Sequence, residues 1–143
     1  MRLAARLVRL LGGLALYALG IALTLRARVG YAPWDVFHTG LAAALGLSIG
    51  VASILTGLAV VLVSLALGER IGLGTLGNMA LIGLLLDAVL VSGLVPHAKG
   101  PVAGAAMMLA GLLVIAFATY LYMSSGFGSG PRDGLMVALT KKT

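Results

Sequence analysis

Gly30-Tyr31-Ala32-Pro33-Trp34-Asp35 and Gly128-Ser129-Gly130-Pro131-Arg132-Asp133 set glycine, proline and aspartate in the same order twice, at an offset of 98 residues. Proline has no N–H to lose in the first turn of a helix, and an aspartate close behind it complements the positive end of the helix dipole. Each hexapeptide therefore reads as a loop that opens a helix. The first helix spans 33–46, where Leu45-Gly46 ends a mostly apolar stretch. At about 18 Å it is too short to cross a bilayer. It is either an interfacial helix or a half-helix that dips into the membrane.

Four longer apolar runs surround these hexapeptides, from about Leu7 to Leu25, Ile49 to Leu67, Leu76 to Val95 and Val102 to Tyr122. Each is long enough for a hydrocarbon core of about 30 Å. Composition requires the same environment: 61% of the 143 residues are hydrophobic and only 10% are charged, too few to cover the chain in water. Tyr31, Trp34, Tyr120 and Tyr122 fall near the ends of runs, as interfacial anchors do. The fold class is an all-α membrane protein with about four transmembrane helices plus short proline-initiated helices. The first run follows a basic segment but lacks a small-x-small cleavage site, so it reads as a retained helix rather than a signal peptide.

The net charge of +6 sits at the ends of the apolar runs and shows no basic, aromatic-interleaved face, which argues against nucleic acid. With the N-terminus in the cytoplasm, Arg2, Arg6, Arg9, Arg70, Arg132, Lys141 and Lys142 fall inside, and Arg26, Arg28 and Lys99 outside. That excess predicts an N-in, multi-pass protein of the bacterial inner membrane.

The offset of 98 extends beyond the hexapeptides, since Leu11-Gly12-Gly13-Leu14 falls on Leu109-Ala110-Gly111-Leu112 and Leu41 on Leu139. A first unit over 1–99 would hold three crossings and the short helix. A second, over 100–143, would hold one crossing and the start of a short helix. An odd number of crossings inverts the second unit, and inverted repeats with interrupted helices characterise secondary transporters. The second unit is incomplete, so two further spans are expected in a longer protein.

Val29 to Val36 with its Pro-Trp-Asp-Val, Leu47-Ser48-Ile49-Gly50, Gly68 to Asn78, and Gly128 to Met136 together resemble the YczE/YitT-type family of bacterial integral membrane proteins, nearer the YczE branch. The resemblance covers nearly the whole chain in order. It implies a longer protein and carries over no catalytic residues.

The candidate substrate or ion-binding residues are Asp87, Asp35, Asp133, Arg132 and Asn78, framed by Gly30, Pro33, Gly72, Gly74, Gly128, Gly130 and Pro131. Asp87 lies within the third run on a face shared with Ala80 and Gly83, and a carboxylate in hydrocarbon is costly enough to need a reason. That reason is either a coupling site or a hydrogen-bonded tie to another helix. Asp35 and Asp133 either cap their helices or converge near a pseudo-twofold axis to bind a cation or proton. Arg132 pairs with Asp133, meets an anion or orients the chain. Gly72-x-Gly74-Thr75 lacks the lysine and strand of a phosphate loop, and reads as a turn with Thr75 capping the third run. The stripe of Gly50, Ser53, Gly57 and Ser64 suits either close packing or the lining of a pathway. There is no cysteine, and His38 and His97 form no cluster with carboxylates at ligand spacing, so neither a metal site nor a cofactor is expected. No nucleophile–base pair is visible, so an enzyme is not expected either. The leading expectation is a small-solute or ion transporter in the lipid bilayer. Its rival is a non-transporting membrane scaffold or assembly partner for other envelope proteins. Homo-oligomerisation is compatible with both, and no substrate is named by the sequence.

Overall fold

Among the described residues the chain forms six helices and no strand: α1 (Leu3–Arg26), α2 (Pro33–Leu45), α3 (Ile49–Ala66), α4 (Leu73–Ser92), α5 (Pro101–Ser124) and α6 (Pro131–Lys142). The structure is a computed structural model and describes residues 3–69, 71–128 and 130–142. Arg2, Arg70 and Ser129 of the charge and motif readings lie outside the described residues, as does the side chain of Lys142. Helices α1, α3, α4 and α5 are long and apolar enough to cross a membrane.

Local chemistry sets the boundaries. Pro33, Pro101 and Pro131 open α2, α5 and α6. Ser48 caps α3 by accepting the Val51 N–H. Left-handed Gly46 and Gly93 end α2 and α4, the latter short of the expected Val95. Thr75 does not cap the third span: α4 starts at Leu73 behind Gly72, which makes no side-chain cap, and Thr75 lies inside its first turn.

The motif glycines before α4 answer to packing instead. The Gly74 N–H donates to the Phe127 carbonyl at 2.9 Å, and a Cβ on Gly72 or Gly74 would lie 2.6 or 2.7 Å from that oxygen. The start of α4 thus cradles the loop between α5 and α6. Arg6 closes it from α1, donating to the Ser125 carbonyl at 2.8 Å and the Gly126 carbonyl at 3.0 Å while lying over the Phe127 ring.

Helices α1 and α5 pack antiparallel through small residues. Gly13 meets Ala118 and Tyr122, Gly20 meets Gly111, and Gly104 meets Ala27, each with a virtual Cβ inside 3.2 Å of backbone. Without large side chains between them the helix axes approach closely, which is how helices associate in lipid. The core on α1 continues to α4 through Leu14, Ala18, Ile21, Ile82 and Leu86. Helices α3 and α4 pair in the same manner, Gly50 against the Gly83 carbonyl and Gly57 against Met79.

The two short helices flank α3. Gly46, Leu47 and Ser48 form a turn that folds α2 back along the first half of α3. Helix α6 follows its second half, reaching Glu69 through a Lys141 bond of 2.9 Å. Together they measure about 38 Å, roughly one membrane thickness.

Candidate functional site

Both short helices begin at mid-height of the bundle. Trp34 and His38 of α2 and Pro131, Arg132 and Asp133 of α6 line one cavity with Tyr17, Thr56 and Ile82. Those last three are the fifteenth of 24, the eighth of 18 and the tenth of 20 residues in their helices. Ser53, Gly57, Asn78 and Tyr122 complete the polar and small part of the wall, with Val60 and Met79 as apolar neighbours. Its free space, ≈ 50 Å³ for the centre of a water-sized sphere, is enough for a few waters or one small solute.

Trp34 and Arg132 occupy the same position in the two hexapeptides, and they touch: the guanidinium carbon lies 5.1 Å from the centroid of the indole ring. This cation–π stack joins the two helix starts directly. Asp133 accepts a 2.8 Å hydrogen bond from the Tyr122 hydroxyl, and Tyr17 packs edge-on to Tyr122 with ring centroids 6.1 Å apart. Asp35 is buried beside the cavity, its carboxylate 3.9 Å from His38 Nδ1, beyond direct hydrogen bonding. Arg132, Asp133 and Asn78 thus line one cavity, with Asn78 against Gly130, and Asp35 does not line it.

Asp87 is elsewhere. Its two oxygens accept the Ser48 hydroxyl and, at 2.8 Å, the Gly50 N–H, so it ties α4 to the first turn of α3. A carboxylate at a helix N-terminus satisfies orphan donors and complements the dipole, which is reason enough for its presence in an apolar helix. It does not line the cavity. Gly30 and Gly128 stand in the two loops at φ 154° and 116°, a region closed to most side chains, and Gly130 lets α6 approach Asn78.

Several cavity residues escaped the sequence reading, among them Thr56 and Trp34, the latter read as an interfacial anchor. Tyr122 is not an interfacial anchor: it is buried, whereas Tyr120 is exposed. Its place eleven residues before Asp133 gave no periodic signal. Tyr17 lay inside an apolar run, and His38 was weighed only as a metal ligand. Arg132 stands in the cavity, which takes one charge from the inside count and leaves six against three.

Residues 4–143 match DUF6198, a family of unknown function. The chain is 35% identical over 133 residues to the "Uncharacterized membrane protein YczE" of Bacillus subtilis, covering 92% of this chain and 61% of that protein. It is 38% identical over 133 residues to an "Uncharacterized protein" of Haemophilus influenzae, covering 93% and 60%. The chain thus spans about three-fifths of the length of the curated relatives it matches. No solved structure matches it. Four membrane-length apolar helices and a match over nearly every residue lead to one conclusion: the chain is an integral membrane protein and belongs to the DUF6198 family.

Proposed function

We propose that the protein is a small-solute or ion transporter built from inverted repeats, with the cavity between the starts of α2 and α6 as its substrate site. One observation carries the reading. At mid-height of an otherwise apolar bundle, two half-length helices point their N-termini at a small polar cavity. Broken helices of this kind form transporter sites because irregular backbone at membrane depth is tolerated where it lines a cavity.

The units proposed are 1–99 and 100–143, and local geometry repeats between them. Helices α1 and α5 end 98 residues apart, at Arg26 and Ser124, and α2 and α6 start 98 apart, at Pro33 and Pro131. Arg28 and Gly126 share a left-handed backbone, at φ 58° and 74°. The Val36 N–H donates to Ala32 as the Gly134 N–H donates to Gly130. At the same offset the contact of Gly20 with Gly111 maps onto that of Ala118 with Gly13, so the α1–α5 pair is self-complementary. Equivalent helices packed antiparallel support an inverted second unit. The proposed setting is a bacterial inner membrane with the N-terminus in the cytoplasm.

Reconstitution into proteoliposomes with a panel of small ions and solutes tests the reading. Flux should appear and fall with Arg132→Gln or Asp133→Asn. Asp87→Asn should lower stability while flux per folded molecule persists. Absence of flux across the panel, or flux indifferent to both cavity substitutions, would favour the scaffold reading, which the Asp87 tie between α3 and α4 also suits.

A further inference from the structure

We infer that the cavity binds a small, planar, monovalent oxyanion, such as a carboxylate, on the guanidinium edge of Arg132. The inference rests on the cavity being the substrate site and names the substrate class.

Three observations favour an anion. Arg132 is the only lysine or arginine among the residues that line the cavity. Its guanidinium stands against the Trp34 ring, the carbon 5.1 Å from the ring centroid, and carries N–H donors for a ligand. Among the described residues no carboxylate lies within salt-bridge distance of it, although two aspartates stand nearby. Asp133 holds the Tyr122 hydroxyl, and Asp35 lies behind the wall with its carboxylate 3.9 Å from His38 Nδ1.

The alternative is a cation, and the site is poorly made for one. Among the described residues no group of three His, Asp or Glu side chains would hold a metal ion. The starts of α2 and α6 add two positive dipole ends beside Arg132, set against the Asp133 carboxylate on the same wall. A planar fork of donors matches a planar oxyanion bidentately, and the free space admits only a few heavy atoms. The Asn78 amide and the Tyr17 hydroxyl, both on the wall, supply neutral donors for a second oxygen.

The sequence contains one tryptophan, and it is the one stacked on Arg132. Its fluorescence therefore reports on the site without a label. The purified protein in detergent is titrated with sodium formate or acetate at constant ionic strength, against bulky gluconate, with thermal unfolding followed in parallel. Formate and acetate should change Trp34 emission saturably and raise the Tm, and gluconate should do neither. Arg132→Gln should weaken half-saturation about ten-fold or more. Arg132→Lys keeps the charge but loses the fork, so it should weaken binding less, and it serves if the glutamine variant does not fold. Asp35→Asn should leave the affinity equal or tighter. A response to neither formate nor acetate would overturn the inference, as would equal affinity in both Arg132 variants or a response that follows the cation. Binding is read at equilibrium, so failure of flux would leave this result standing, and failure here would leave the transport question to the flux assay.

Discussion

Helices α2 and α6 both begin at a proline at mid-height of the bundle with an aspartate two residues on, yet Trp34 stands in one where Arg132 stands in the other. Their surroundings differ further. Helix α2 is apolar and hairpinned onto α3 through a three-residue turn, and Phe37, Leu41 and Leu45 share a groove with Leu55, Ala59 and Val63. Helix α6 carries charge at both ends and is held by loop contacts to Arg6, Gly74 and Glu69. The same backbone device thus opens both helices, with an aromatic side chain on one wall of the cavity and a cationic side chain on the other. The backbone is what is shared, and the side chains at the meeting point are what differ.

The comparison breaks most severely at the α1–α5 seam. Gly13 and Gly111 are equivalent positions, and a Cβ on either would lie 2.8 Å from its nearest neighbour. Leucine at either should cost about 3 kcal/mol by overpacking. Thermal unfolding in detergent should show similar losses for Gly13→Leu and Gly111→Leu. A loss at only one of them would mean that the seam is not self-complementary.

A smaller effect separates Tyr122 from Thr24, which stands 98 residues earlier. The Tyr122 hydroxyl bonds a carboxylate eleven residues away, whereas Thr24 donates only to its own helix at Ile21. Tyr122→Phe should therefore cost about 2 kcal/mol and Thr24→Val less than about 1 kcal/mol, by the same assay. Equal costs would remove this asymmetry.

The stack between the units should be smaller still. A double-mutant cycle of Trp34→Leu and Arg132→Gln should return a coupling of about 1 kcal/mol. Additive losses would show that the two side chains are neighbours without an energetic link. The mildest test is in the loops: Arg28 adopts the left-handed backbone that Gly126 takes in the other unit. Arg28→Gly should raise stability by about 0.5 kcal/mol, the relief of Cβ strain less the added chain entropy. A loss would mean that the Arg28 side chain outweighs the strain.

Hydropathy made the four spans legible, and the Pro-x-Asp hexapeptides made the short helices and their starts legible, because proline and run length act locally. Depth was not legible. The sequence left α2 as either interfacial or dipping, and only its place beside Thr56 and Tyr17 puts its start at mid-height. Aspartates in similar apolar settings also took different roles. Asp87 met the free first turn of α3, while Asp133 met Tyr122, and neither partner is marked by spacing. Arg6 read as a topological charge, yet it closes a loop 119 residues away. Contacts made across such separations follow from packing, which residue patterns along one helix do not encode.

The meeting of the two helix starts can be measured directly, since the chain has no cysteine of its own. Trp34→Cys and Arg132→Cys are combined, treated in membranes with a short thiol–thiol cross-linker, and analysed by mass spectrometry. Glu69→Cys with Lys141→Cys, whose native side chains touch at 2.9 Å, serves as the positive control. The account predicts an intramolecular link between 34 and 132 at a yield comparable with the control. A linked control with no link between 34 and 132 would contradict it, because the two helices would then not share a cavity.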